Sequence, residues 1–151
     1  MIKKIVLLLL LGSLGFNLSA QYYEQSIGVR MGTAFAATYK NQLNYPHAFE
    51  IISGFRLNNG RAFTIAGLYQ YHWNLGVNTQ WDWFLGAGGV TGFYTATREK
   101  TKFGGGLLLN AGIQYTFRLA PFTVSLDYQP VIGTDLSYAE GGFSVRYTFG
   151  D

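Results

Sequence analysis

The chain has 151 residues, about one domain's worth. Charged residues are only 13% of it while aromatics reach 17% and glycine numbers 20, which fits neither a disordered chain nor an ordinary cytosolic enzyme. The absence of cysteine excludes disulfides, thiolate metal sites, a cysteine nucleophile and an acylated-cysteine anchor, and a formal charge of +3 without a basic stripe leaves no footprint for nucleic acid.

Residues 1–20 read as a secretory signal. Lys3 and Lys4 supply a positive start, Ile5 to Leu11 is an unbroken apolar run, and Ser19-Ala20 offers small residues at the cut. A transmembrane helix needs roughly twenty apolar residues, and the stretch from Ile5 to Phe16 is shorter and broken by Gly12, Ser13 and Gly15. The domain to be explained is therefore 21–151, which is nearly neutral once Lys3 and Lys4 are gone.

From there on the chain alternates with a period of two, as strands with one apolar face do. The stretch from Gln25 to Asn41 is too long for one strand in a short barrel, and Gly32-Thr33 divides it into strands at 25–31 and 34–42. Phe49, Ile51, Ser53, Phe55 and Leu57 then oppose Ala48, Glu50, Ile52, Gly54 and Arg56. Phe63, Ile65, Gly67, Tyr69 and Tyr71 oppose Thr64, Ala66, Leu68, Gln70 and His72. A glycine-rich strand follows at 80–94. The clearest alternation sets Leu107, Leu109, Ala111, Ile113, Tyr115 and Phe117 against Leu108, Asn110, Gly112, Gln114 and Thr116. Phe122, Val124, Leu126 and Tyr128, and finally Phe143, Val145, Tyr147 and Phe149, repeat the pattern. The spacing predicts eight strands, at 25–31, 34–42, 47–57, 61–73, 80–94, 104–117, 122–131 and 141–149. Asn59-Gly60 is the strongest hairpin signal, since a type I′ turn needs positive φ at both central residues.

Alternation alone does not say which face meets which solvent. In a soluble barrel the large apolar residues fill the core; in a membrane barrel they meet lipid and small or polar ones fill the lumen. Three features favour the second arrangement. The polar faces are poor in charge and rich in Gly, Ala, Ser and Thr, which suit a narrow eight-stranded lumen. Aromatics gather near strand ends, where interfacial girdles belong: Trp73, Trp81, Trp83, Tyr94, Phe103, Phe117, Phe122, Tyr128 and Phe149. The strand charges balance, with Arg30, Arg56 and Arg146 available to meet Glu50, Asp82 and Asp127 inside. Lipid also demands closure, because an open sheet edge cannot be satisfied in hydrocarbon. The fold class expected is all-β, an eight-stranded antiparallel up-and-down transmembrane barrel with a filled polar lumen.

With these residues the chain resembles the small eight-stranded outer-membrane β-barrel proteins of Gram-negative bacteria. The likeness runs through 21–151 and is clearest at Gly67-Leu68-Tyr69-Gln70-Tyr71-His72, Trp83-Phe84-Leu85-Gly86-Ala87-Gly88-Gly89, the 107–117 strand and Phe143-Ser144-Val145-Arg146-Tyr147-Thr148-Phe149. The resemblance implies that Tyr147 and Phe149 form the signal read by the outer-membrane insertion machinery. Ser144, where that pattern usually has Gly, and Gly150-Asp151 beyond the last aromatic depart from it. It also implies that the chain start and the turns at 43–46, 74–79 and 118–121 face the periplasm, and that 32–33, 58–60, 95–103 and 132–140 face outward.

The function expected is a monomeric, non-enzymatic structural or interaction protein of the outer membrane, with no cofactor and no metal. The alternatives are a narrow pore for ions or very small solutes and a soluble periplasmic barrel holding an apolar ligand. The partners expected are outer-membrane lipid, lipopolysaccharide and, during assembly, the insertion machinery. Arg98-Glu99-Lys100-Thr101-Lys102 is a candidate for lipopolysaccharide phosphates, although a solvated hairpin loop is the commoner explanation of such a run. His72 and His47 are candidate general bases, with Ser53 or Ser125 as a nucleophile, but no motif fixes a Ser–His–acid geometry. Asp135 and Glu140 read as loop acids without calcium-loop spacing.

Overall fold

The computed structural model describes residues 25–57, 60–76, 80–96, 100–134 and 137–150; the signal segment, Arg98, Glu99 and Asp135 lie outside them. Eight strands follow in order: β1 (Gln25–Gly32), β2 (Ala34–Asn44), β3 (His47–Arg56), β4 (Gly60–Asn74), β5 (Trp81–Ala96), β6 (Lys102–Thr116), β7 (Phe122–Thr134) and β8 (Tyr138–Phe149). Each pairs antiparallel with its chain neighbours, and β1 closes on β8 in a register running from Gln25↔Phe149 to Gly32↔Gly142. The result is a closed up-and-down barrel, with β1's start, β8's end and the β2–β3, β4–β5 and β6–β7 turns at one end. We call this the terminal end, and the opposite one the loop end.

The turns follow local chemistry. The β1–β2 connection is Thr33 alone. At the β4–β5 turn Asn74 Oδ1 accepts from the Gly76 amide at 2.9 Å, and Gly76 takes φ 77, which glycine adopts without a Cβ penalty. The last two strands are longer than the alternation predicts. β7 runs on to Thr134 and β8 starts at Tyr138, so the 132–140 connection shrinks to 135–137. Tyr138-Ala139-Glu140-Gly141-Gly142 does not alternate apolar with polar, yet the ladder continues through Gln129↔Glu140, Pro130↔Ala139 and Val131↔Tyr138.

Burial is inverted relative to a protein folded around an oily centre. Arg30 and Arg146 are the largest fully buried side chains, at 1% exposure each, whereas Phe35, Phe55, Phe103, Leu107 and Ile132 stand mostly exposed on the outer wall. The lumen is not polar throughout. Ala36, Ile52, Ala66, Leu68, Val90, Leu108 and Val131 form an apolar cluster inside it, with Tyr138 packed against them. Leu68 and Leu108 fall on the face that the alternation marks as polar, so this plug is a feature the period-two pattern misses.

Candidate functional site

Lumen-facing positions recur every second residue, and strand pairing brings distant ones together across the bore. The buried charged residues are Arg30, Lys40, Glu50, Asp127, Glu140 and Arg146, three cations and three carboxylates among the described residues. Unpaired, any of them would carry a desolvation cost of several kcal/mol, roughly, so the pairing decides whether the lumen is stable.

Two clusters result. Toward the loop end, Arg30 donates through Nη2 to Asp127 Oδ1 at 2.6 Å and through Nη1 to Glu140 Oε1 at 2.8 Å. Thr33 Oγ1 donates to Glu140 Oε2 at 2.9 Å, Arg56 Nη2 donates to the same oxygen, and the Arg56 guanidinium lies 3.5 Å from the Tyr138 ring centroid. Glu140 is thus the hub of the first cluster. Glu50 is the hub of the second: it accepts from Thr38 Oγ1 at 2.6 Å, from Gln70 Nε2 at 2.6 Å and from Arg146 Nη2. Arg146 also donates to Thr38 Oγ1 at 3.1 Å and Ser125 Oγ at 2.8 Å, and Gln70 reaches Asn110 Oδ1 at 3.0 Å. Beside it, Lys40 Nζ donates to Gln114 Oε1 at 3.0 Å and sits 4.8 Å above the Phe84 ring centroid.

Of the six charges expected inside, five take part in these clusters. Asp82 does not: its Oδ1 accepts from Asn74 Nδ2 at 3.4 Å, near the terminal-end turn. Its place is taken by Glu140, which lies in β8 and not in a loop. The signal was present, because Glu140 shares parity with Gly142, Ser144 and Arg146 and therefore their face. Lys40 was missed because Lys40-Asn41-Gln42 is polar on both faces.

Glycine makes room for these side chains. A Cβ on Gly142 would sit 2.4 Å from Arg30 Cζ, and one on Gly112 would meet the Leu126 carbonyl oxygen at 2.3 Å and Phe84 Cζ at 2.6 Å. Both positions face the bore.

The remaining candidates are dispersed. His72 is buried and stacked on Phe84 with ring centroids 5.2 Å apart, and its Nε2 has no hydrogen-bond partner. His47 faces outward against the Tyr69 hydroxyl. Ser53 also faces outward, and Ser125 accepts from Arg146 rather than from a histidine. Among the described residues no group of three His, Cys, Asp or Glu is placed to hold a metal ion.

On the outer wall the terminal end carries most of the aromatics expected at strand ends. Trp73 stacks on Trp83 at 4.4 Å, Trp81 packs on Tyr115 at 4.8 Å, Tyr115 meets Phe117 edge-on at 4.8 Å, and Phe122, Tyr147 and Phe149 form a further run. Three of the nine lie elsewhere. Tyr94 shares parity with the buried Phe84, Val90 and Gly92, so it is on the lumen register at the loop end. Tyr128 is exposed, but at the midpoint of β7 opposite Ala111. Phe103 is at the loop end, 5.4 Å from Phe93.

No protein-family model matches the chain, and no curated protein matches it in sequence. Solved structures do match in fold. The crystal structure of the N-terminal β-barrel domain of Pseudomonas aeruginosa OprF is similar with a TM-score of 0.71 at 12% identity, covering 85% of this chain and 100% of that one. The backbone structure of the Yersinia pestis outer membrane protein Ail, determined in a phospholipid bilayer nanodisc, is similar with a TM-score of 0.56 at 13% identity, covering 83% of this chain and 97% of that one. The chain thus has the closed eight-stranded antiparallel barrel fold that these two proteins share.

Proposed function

We propose that the protein is an integral barrel of the outer membrane of a Gram-negative bacterium, with a structural or interaction role in the envelope and no catalysis. The observation that carries this reading is the inversion of burial: a closed wall of exposed Ile, Leu, Val, Phe and Tyr around a bore holding three buried cations and three buried carboxylates. Water is a poor solvent for such a wall, since soluble monomers rarely expose contiguous apolar patches above roughly a few hundred Å². Hydrocarbon is a good one, and closure leaves no strand edge unsatisfied in it. The fold shared with a barrel studied in a bilayer nanodisc supports the same reading.

The apolar plug and the two ionic clusters favour a sealed bore over a pore. Ile52, Leu68, Leu108 and Val131, from four different strands, pack together inside the bore, and Arg30, Asp127 and Glu140 are locked together in it as well. The test is far-UV circular dichroism of residues 21–151 refolded from urea in detergent micelles and, in parallel, in plain buffer. Strand signal only in micelles supports the proposal. A cooperative β spectrum in plain buffer refutes it.

A further inference from the structure

The two ends of the outer wall differ in the chemistry of their rings. At the terminal end the rings are mostly Trp and Tyr, with Tyr39 Oη bonded to Gln25 and Tyr115 Oη to Gln80. At the loop end they are phenylalanines in one continuous register: Phe35↔Phe55, Phe55↔Phe63, Phe63↔Phe93 and Phe93↔Phe103, across five strands. Met31 joins this row to Phe143 on the far side of β1. Phenylalanine has no polar handle, so this belt belongs against hydrocarbon.

Two residues further toward the loops, about 7 Å along each strand, the same wall changes character. Arg61 lies beyond Phe63, Thr95 beyond Phe93 and Thr101 beyond Phe103. Arg61 and Thr95 are register partners, and the Thr95 and Thr101 hydroxyls are 2.8 Å apart. In such a pair one hydroxyl proton is used internally and the other remains to donate outward. A guanidinium and a spare hydroxyl donor therefore sit in one row, above the exposed rings of Phe93 and Phe103 and the half-buried ring of Phe63.

We propose that the loop-end wall of β4, β5 and β6 binds a phosphate-bearing lipid with several acyl chains. Arg61 and the Thr95–Thr101 pair take the phosphate, and Phe63, Phe93 and Phe103 take the chains. Guanidinium forks match phosphate oxygens in two-point geometry, which fits Arg61 to this role. The phenylalanine belt continues around most of the barrel, beyond the edge of a patch that one protein partner would cover, and this favours lipid over a docked protein. The site rests on the membrane reading above and adds a ligand class and a position to it.

The probe is hexa-acyl diphosphoryl lipid A, with its dephosphorylated counterpart as comparison. Binding is read by native mass spectrometry of the folded protein released from neutral maltoside micelles. Wild type is expected to retain the diphosphoryl lipid preferentially, and Arg61→Gln to weaken it about tenfold, the scale of a lost charge-assisted pair. Arg61→Lys should fall between them. Thr95→Val with Thr101→Val should weaken the phosphate preference, Phe93→Ala with Phe103→Ala should weaken both lipids, and Arg118→Gln at the terminal end should change neither. Equal retention by wild type and Arg61→Gln overturns the site, as does equal retention of the two lipids by wild type. Strand content in micelles, checked for each variant, separates loss of binding from loss of fold. A wild type that folds in plain buffer would instead refute the membrane reading, so the two failures are distinguishable.

Discussion

Glu50 offers the sharpest test of how the lumen is held together. Its carboxylate accepts from Thr38, Gln70 and Arg146, and both members of the Arg146–Glu50 pair have side chains no more than 2% exposed. Glu50→Leu removes that carboxylate from Arg146 and leaves the guanidinium with two hydroxyl partners. Breaking a buried pair on one side costs about 3–5 kcal/mol, because an uncompensated charge is left behind. Arg146→Met strands the carboxylate and belongs in the same range. Were the two effects independent, the double variant would lose about 6–10 kcal/mol. Removing both charges instead strands no member of the pair: Thr38 and Ser125 lose their partners, Gln70 keeps only its bond to Asn110, and Lys40 loses a nearby carboxylate but keeps Gln114, at about 1 kcal/mol for each lost neutral bond. The double variant should therefore lose about 3 kcal/mol, less than or equal to either single change. Reversible urea unfolding in phospholipid micelles, followed by the fluorescence of Trp73, Trp81 and Trp83, measures all four corners of the cycle. A double variant that loses the sum of the singles would refute the argument that charge pairing stabilises this bore.

Other expectations follow from the same geometry. Lys40→Met should be neutral or stabilising within about 1 kcal/mol, since it replaces a buried ammonium with an apolar chain of similar length beside Phe84; urea midpoints decide this. Gly112→Ala should destabilise by about 1–3 kcal/mol, because the new methyl meets the Leu126 carbonyl and the Phe84 ring, whereas Gly67→Ala, whose nearest neighbour is Phe49 Cζ at 3.7 Å, should be nearly silent in the same assay. Leu109→Arg, at mid-barrel on the outer wall, should cost about 2–4 kcal/mol in a bilayer, and Leu119→Arg, fully exposed in the β6–β7 turn, close to nothing. Planar-bilayer recordings should show no unitary conductance for wild type; Leu68→Ser with Leu108→Ser is the variant expected to admit current, and steady conductance by wild type would revive the pore reading.

The strands were legible because their outer faces are so regular: Leu107 to Phe117 and Phe143 to Phe149 admit no other reading at period two. Their inner faces were less so. Leu68, Phe84 and Leu108 look wrong for a polar lining, yet a bore closed by eight strands needs bulk as well as charge, and glycines opposite them supply the space. The pairings were not legible at all. Arg30 meets Asp127 and Glu140, and Arg146 meets Glu50, through contacts between residues about a hundred positions apart, and only the register of the closed sheet sets those distances. Tyr94 shows the same limit in reverse: its position near a strand end was readable, but which way it faced depended on the parity that Phe84 and Val90 impose.

The pairing of β1 with β8 also bears on how the chain is made. A ribosome finishes the strand that seals the cylinder last, so through most of synthesis Gln25 to Gly32 has no companion on one side. A sheet of seven such strands exposes two raw edges and a continuous oily flank, the combination most prone to sticking to other copies of itself. Contacts this distant along the chain also form slowly. Staying unfolded until all eight strands can pair together would spare the chain that exposure.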